Sequence, residues 1–446
     1  MKPSISLFFV FFIGLFLAAG FLAACDEAPE APPAAKPQVE VVFVLDSTGS
    51  MGGLIEGAKQ KIWAIANEII LQKPEPDVRM GLLTYRDKGD EYITKMMDLT
   101  TDVDAIYGFL MPIVATGGGD EPESVNQALD EAVNKMSWSP KEKNVYRVIF
   151  LVGDAPPHMD YQDDVKYTET CKKALENNIL INTIQCGNIA SCTPFWQEIA
   201  QISEGNYSRI MQSGNVVVVE SPFDREISEL TTELGSTVIT YGSASKKAEV
   251  MDKLKVAESA PMAARADRAA FNLKRGSGAI LGSGDLVADV KENAELLNDS
   301  ESLPEPMQAM SLGERQLFVE EQSARRTEIN TKLSELTVQR NEWLATEGKK
   351  LRLDASGTVG DEGRLAGRRA LSEAKPAMVS GKPVAAGLMP LSSPARPASP
   401  PMSGEELVEA EAADMSAPAE APEAAASFDE SVSETIQSQF RKAMEK

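Results

Sequence analysis

Three short segments carry side chains whose types and spacing could act together. Asp46-Ser47-Thr48-Gly49-Ser50-Met51 offers one carboxylate and two hydroxyls at alternate positions. Thr116-Gly117-Gly118-Gly119-Asp120-Glu121-Pro122-Glu123 is a glycine-rich turn that delivers carboxylates into a helix start. Val152-Gly153-Asp154-Ala155-Pro156-Pro157 adds a further Asp. The chemistry open to this set is coordination of a cation. One His and four Cys among 446 residues exclude a His/Cys zinc cluster of any size, so a metal site must be built from oxygen ligands. Asp46 and Asp154 have a competing reading as helix caps, and residues 116–119 as an ordinary turn. Two caps at one rim, however, already describe a cation site. His158 has no Ser or Cys nucleophile to serve, which leaves loop packing or a backbone hydrogen bond as its role.

These segments need strands to aim them. Residues 39–45 form an apolar run that leads directly into Asp46, as expected of a strand buried on both faces of a parallel sheet. Ile55, Ala58, Ile62, Ile65 and Ile69 then recur at helical spacing. Strand-like runs follow at 78–85, 92–99, 146–152 and 179–185, with a weaker one at 207–211, and helical patterns lie between most of them. The alternation predicts an α/β domain over 39–220, a doubly wound, mostly parallel sheet with helices on both faces. In such a sheet ligands bind at the carboxyl ends of strands, near the switch in strand order. All three loops follow the order expected for one rim. Trp63 and Trp196 sit in amphipathic helices and are expected in the core.

On these three motifs, residues 39–220 resemble the von Willebrand factor type A domain, a Rossmann-like fold, and its metal-ion-dependent adhesion site. The resemblance implies one Mg²⁺, with Mn²⁺ or Ca²⁺ as alternatives. Its ligands would be Asp46, Thr48, Ser50, Glu123 and Asp154, with waters completing a near-octahedral shell. Most type A domains give a Thr from the second loop. Here G-G-G-D-E-P-E resembles the D-x-P-E form of integrin β-chain domains, which favours Glu123 as the ligand over Asp120. Those domains also carry acidic residues just after the first motif that serve a neighbouring metal; Gly52 and Gly53 stand there instead, which implies a single metal. Few direct carboxylates leave the ion electrophilic, so an open position can accept an acidic side chain from a protein partner. The implied role is binding, not catalysis.

The flanking chain has its own signals. Residues 5–24 are almost wholly apolar behind Lys2 and end in Leu22-Ala23-Ala24-Cys25, which resembles the bacterial lipobox. That implies removal of 1–24 as a signal peptide and lipidation of Cys25, in the envelope outside the cytoplasm; an uncleaved anchor is the alternative. Asp26 resembles the signal that keeps a lipoprotein in the inner membrane, facing the periplasm. Residues 25–38 are Pro/Ala-rich and read as a stiff tether.

Residues 221–350 read as a helical accessory region. Ser221-Pro222 offers a cap and a first-position proline ahead of Phe223, Ile227, Leu230 and Leu234. Ser311 with Glu314 forms a capping box ahead of a long helix with Ile329, Leu333 and Leu336 on its apolar side. Residues 351–426, rich in Ala, Pro, Ser, Gly and Glu, carry too little apolar content to fold and read as a disordered linker. Residues 427–446 regain a helix signal: Ser427 and Glu430 cap it, and Val432, Ile436 and Phe440 line one face. That helix either docks on its own protein or binds a partner.

A Cys186–Cys192 disulfide is feasible in an oxidising compartment. Cys171 is then a small hydrophobe, and a Cys171–Cys186 bridge is the alternative pairing. The net charge of −23 lacks the basic footprint that nucleic acid requires. Two rival functions remain: a metal-dependent hydrolase, against which stands the lack of a usual general base near the motifs, and a structural envelope-spanning protein with a vestigial metal site.

Overall fold

In the central strand β1 (Gln38–Asp46) both side-chain sets are needed inside. Val39, Val41, Phe43 and Leu45 enter one core, and Val42 and Val44 enter another on the opposite face of the sheet. The structure, a computed structural model, describes residues 36–141, 144–275, 284–351 and 426–445. The apolar N-terminal segment, Cys25, the tether up to residue 35 and the linker up to residue 425 lie outside the described residues. Glu40 interrupts the apolar run of β1. It is fully buried, and the Arg79 guanidinium, 2.6 Å away, compensates its charge.

β1 pairs in parallel with β2 (Asp77–Tyr85) on one side and β4 (Val145–Gly153) on the other. Parallel β5 (Ile179–Cys186) and β6 (Tyr207–Ile210) follow beyond β4, and β3 (Thr94–Thr100) closes the other edge antiparallel to β2. The order is therefore β3-β2-β1-β4-β5-β6. Its direction reverses between β1 and β4, the place where open α/β sheets leave a crevice for ligands. Asp46 and Asp154 stand at the carboxyl ends of those two strands.

Helices cover both faces, because each carries one apolar stripe. On the first face lie α1 (Gly52–Ile70) and α2 (Val103–Leu110). The second is covered by α3 (Val125–Asn134), α4 (Tyr167–Glu176) and α5 (Cys192–Ile202). Trp63 and Trp196 are both fully buried, and their indole N–H groups donate to Asp104 Oδ1 at 3.2 Å and to the Ala155 carbonyl at 3.1 Å. Buried indoles need such partners.

Beyond residue 220 come α6 (Asp224–Gly235), α7 (Ala244–Glu258), α8 (Met262–Arg275) and α9 (Leu312–Trp343). α9 opens with the capping box of Ser311 and Glu314. α6 starts later than Ser221-Pro222 implies. Ser221 still caps the turn ahead of it: Phe223 N donates to Ser221 Oγ at 3.2 Å and Ser221 N to Asp224 Oδ2 at 2.8 Å, while Arg340 Nε from α9 donates to Asp224 Oδ1 at 2.6 Å and ties the helix start to a neighbour. The helical region is not packed separately from the sheet. Arg268 of α8 donates to both carboxylate oxygens of Asp104 on α2, at 2.8 and 2.6 Å, and Ala260, Ala264 and Phe271 join the same core as β1.

The last helix, α10 (Phe428–Met444), docks on its own chain. Phe428 meets Phe43, Phe440 meets Tyr146, and Asp429 pairs with Lys61 at 2.9 Å. No described helix is long and apolar enough to cross a membrane.

The expected disulfide is a correction. Cys171, Cys186 and Cys192 are all free and buried. Cys186 points into the core of the first face, whereas Cys192 packs into that of the second. The sheet separates them, and the alternative Cys171–Cys186 pair is divided in the same way. Cys171 packs as a small hydrophobe. Burial pushes its thiol up to about 12 and raises the other two well above the ordinary thiol range. Thiols held protonated make poor nucleophiles. Iodoacetamide should therefore leave all three unmodified in the native protein and alkylate all three after unfolding without reductant, as peptide mapping would read. A bridged peptide among them would overturn the assignment.

Candidate functional site

Asp46, fully buried at the end of β1, is fixed by its own turn. The backbone N–H and hydroxyl of Thr48 donate to its Oδ1 at 2.8 and 2.6 Å. Its Oδ2 is buried with no hydrogen-bond partner. The Thr48 hydroxyl lies 3.4 Å from that of Ser50, which is exposed at the short turn leading into α1. At the end of β4, Gly153 lets Asp154 approach: a Cβ there would stand 2.9 Å from Asp46 Cβ and 2.6 Å from the Tyr85 hydroxyl. Gln212, just past β6, donates to Asp154 Oδ2 at 2.6 Å and to the Ser50 carbonyl at 3.3 Å.

The glycine-rich loop is stitched to the first one. Gly49 N donates to Gly117 O at 3.2 Å, and Thr116 N to Ser47 O at 3.1 Å. Gly117 and Gly118 have φ of +85° and +79°, a region that glycine enters without steric cost. Space demands glycine as well: a Cβ at Gly118 would lie 2.8 Å from Glu123 Oε1 and 3.4 Å from Thr48 Cβ. Glu123 is 3% exposed and held by its backbone, donating to Pro156 O and accepting from His158 N. Its Oε2 has no hydrogen-bond partner.

Two buried carboxylate oxygens thus lack a partner at one rim. Burial pushes Asp46 up to about 7, with the Asp154 charge adding and the Thr48 donors and the Asp154 backbone N–H opposing. Burial pushes Glu123 up to about 9, and Asp46, Asp87, Asp90 and Asp154 each add to it. Charged oxygens so placed repel one another and have lost water, so a cation would relieve both effects.

The fold therefore brings Asp46, Thr48, Ser50, Glu123 and Asp154 to one rim. Asp120, on the same loop as Glu123, has a side chain 64% exposed and stands beside His158. Sequence reasoning missed Asp87, Asp90 and Gln212. All three follow strand ends, β2 and β6, on the rim already singled out, so the strand-end rule applied to every strand would have found them.

Residues 40–220 match the family model of the von Willebrand factor A domain. The chain carries a von Willebrand factor A domain. Domains of this family are in general protein-interaction modules, and many bind divalent cations. Among curated relatives, the alpha-protein kinase vwkA of Dictyostelium discoideum is 32% identical over 123 residues, 27% of this chain and 19% of that protein. The von Willebrand factor A domain-containing protein 7 of Rattus norvegicus is 37% identical over 100 residues, 22% of this chain and 10% of that protein. An ariadne-like RING finger protein of Acanthamoeba polyphaga mimivirus is 21% identical over 235 residues, 48% of this chain and 23% of that protein. This chain thus spans less than a quarter of the length of these relatives. Among solved structures, the SpRpn10 VWA domain covers 41% of this chain at 16% identity, with all of that chain matched and a TM-score of 0.31.

Proposed function

We propose that this von Willebrand factor A domain binds a protein partner through one Mg²⁺ held by Asp46, Thr48, Ser50, Glu123 and Asp154. The observation that carries the reading is the pair of buried, unpartnered oxygens, Asp46 Oδ2 and Glu123 Oε2. Buried polar atoms are almost always satisfied, and a hard cation is what two carboxylates at one rim accept. Thr48 and Ser50 add neutral hydroxyls, Gln212 steadies Asp154, and Gly118 leaves Glu123 room. When bound, the ion supplies a Lewis-acidic position that an acidic side chain of the partner can fill. The role is capture, not turnover. Partner recovery by crosslinking from membranes is expected with Mg²⁺ and lost both with EDTA and in Asp154→Ala. The same partner recovered under all three conditions would sink the reading.

The same reading places the domain outside the cytoplasm on a lipid anchor at Cys25. Its support is Leu22-Ala23-Ala24-Cys25 at the end of the apolar run. Several acyl chains anchor stably where one does not. Cys25→Ser is expected to leave an unprocessed precursor still carrying residues 1–24, seen by intact mass. Mature-size protein from that variant would refute lipobox processing.

A further inference from the structure

His158 is the chain's one imidazole and is 4% exposed. Its two ring nitrogens have different surroundings. Nδ1 lies 2.8 Å from Asp160 Oδ1. Nε2 is buried with no hydrogen-bond partner, 3.4 Å from Asp87 Oδ2 and 3.8 Å from Asp120 Oδ2. The ring stacks on Tyr161 with centroids 3.9 Å apart, and Asn126 Nδ2 donates to the His158 carbonyl at 2.7 Å. Asp87 is equally fixed, accepting from the Ser124 hydroxyl at Oδ1 and the Tyr161 hydroxyl at Oδ2, each at 2.8 Å.

We propose that Asp87, Asp120 and His158 form a second metal site, for a first-row transition ion such as Zn²⁺. Imidazole suits such ions, whereas Mg²⁺ and Ca²⁺ take oxygen. Donors about 2.0–2.1 Å from a tetrahedral ion stand roughly 3.4 Å from one another. The Nε2 distances of 3.4 and 3.8 Å fit that separation, and all three donor atoms lie within 4.8 Å of one another. Asp120, being exposed, is free to swing in.

The outer partners fit too. An Nδ1–H donated to Asp160 leaves the lone pair on Nε2, as a carboxylate does behind metal-bound histidines. Ser124 and Tyr161 orient Asp87 in the same way. Without a cation that lone pair faces two carboxylate oxygens; an ion turns the repulsion into three bonds. Three protein ligands leave a fourth position for water or a partner group. The site stands behind Glu123, whose carbonyl accepts from His158 N at 3.1 Å.

The test uses the full chain carrying Asp154→Ala, which disables the first centre, stripped with EDTA and titrated with Zn²⁺ alone. Calorimetry counts ions, and the ¹⁵N signal of the single histidine needs no assignment. One Zn²⁺ per chain is expected, with the Nε2 signal shifted at one equivalent. Asp120→Asn, an exposed substitution that leaves the core untouched, should weaken binding by about tenfold or more. An Nε2 signal unmoved by saturating Zn²⁺ overturns the site, and is the result expected if a proton on Nε2 pairs His158 with both carboxylates. So does Asp120→Asn binding as tightly as its parent, or loss of all Zn²⁺ uptake with Asp154→Ala. If Zn²⁺ still reaches His158 while wild-type protein ignores Mg²⁺, this site stands and the proposed Mg²⁺ centre falls.

Discussion

Removing Mg²⁺ is expected to lower the melting temperature of this protein, and to lower it more at pH 8 than at pH 5. In the metal-free protein Asp46 sits at about 7 against an ordinary 3.8, and Glu123 at about 9 against 4.5. Raised folded values mean that the native state holds protons which the unfolded chain has released. Stability is therefore greatest below the ordinary carboxylate range. It falls as pH rises through about 7 for Asp46 and on toward about 9 for Glu123. Mg²⁺ requires both groups ionised, so its affinity rises over the same span. At one hundred times its Kd the ion adds about 2.7 kcal/mol, or roughly 5–10 °C for a domain of this size. Asp154→Ala should abolish that gain. In EDTA at pH 8 the variant should melt at or above wild type, because one of the charges raising Asp46 is gone. Glu123→Ala should lose more of the response than Asp120→Ala, whose side chain faces His158 instead. Melting curves at both pH values, with Mg²⁺ and with EDTA, decide this. No shift with Mg²⁺ or Mn²⁺ at pH 8 would remove the metal centre and leave the structural rival.

The parts of the fold that were legible in the sequence share one property: a local pattern sufficed. The four inner strands carry apolar runs, the edge strands β3 and β6 weaker ones, and all six lie within a few residues of the predicted ranges. The capping boxes at Ser311 and Ser427 announce themselves in four residues. The rim residues Asp46 and Asp154 follow from strand ends alone. What was not legible depends on tertiary placement. Cys186 and Cys192 are close in sequence, but the facing of β5 sends one thiol to each side of the sheet. α8 buries Ala263, Ala264, Ala266, Ala269 and Ala270, whose small side chains let it pack on α1, a partner that no local pattern in the sequence names. From sequence His158 reads as loop packing, because it has no Ser or Cys nucleophile to serve and a lone His makes no His/Cys cluster. Asp87 comes from the end of β2 and Asp120 from the glycine-rich loop, so the trio exists only once the rim is assembled.

The destination of α10 was equally hidden, and it leads to the largest expected effect on stability. A chain ending at residue 426 should melt far below the full chain, or lose its cooperative transition. Phe428, Val432, Ile436 and Phe440 are each at most 1% exposed, in the same core as β1. Phe440→Ala alone should cost about 3–5 kcal/mol, a fall of roughly 6–20 °C. Truncation goes further, because it also uncovers Phe43 and Tyr146, on which the helix sits. It leaves polar groups stranded as well: the Tyr146 hydroxyl and the Asn182 amide both donate to Gln439 Oε1, at 2.6 and 3.1 Å. The loss should reach the rim. Phe428 N donates to Gly214 O at 2.9 Å, two residues beyond the Gln212 that holds Asp154. A truncated chain that still folds is therefore expected to bind Mg²⁺ more weakly, and a peptide of residues 427–445 added in trans should restore both melting and binding. Calorimetry with and without that peptide reads both quantities. Melting at the full chain's temperature would mean that α10 is dispensable to the core, and unchanged Mg²⁺ affinity would sever it from the rim.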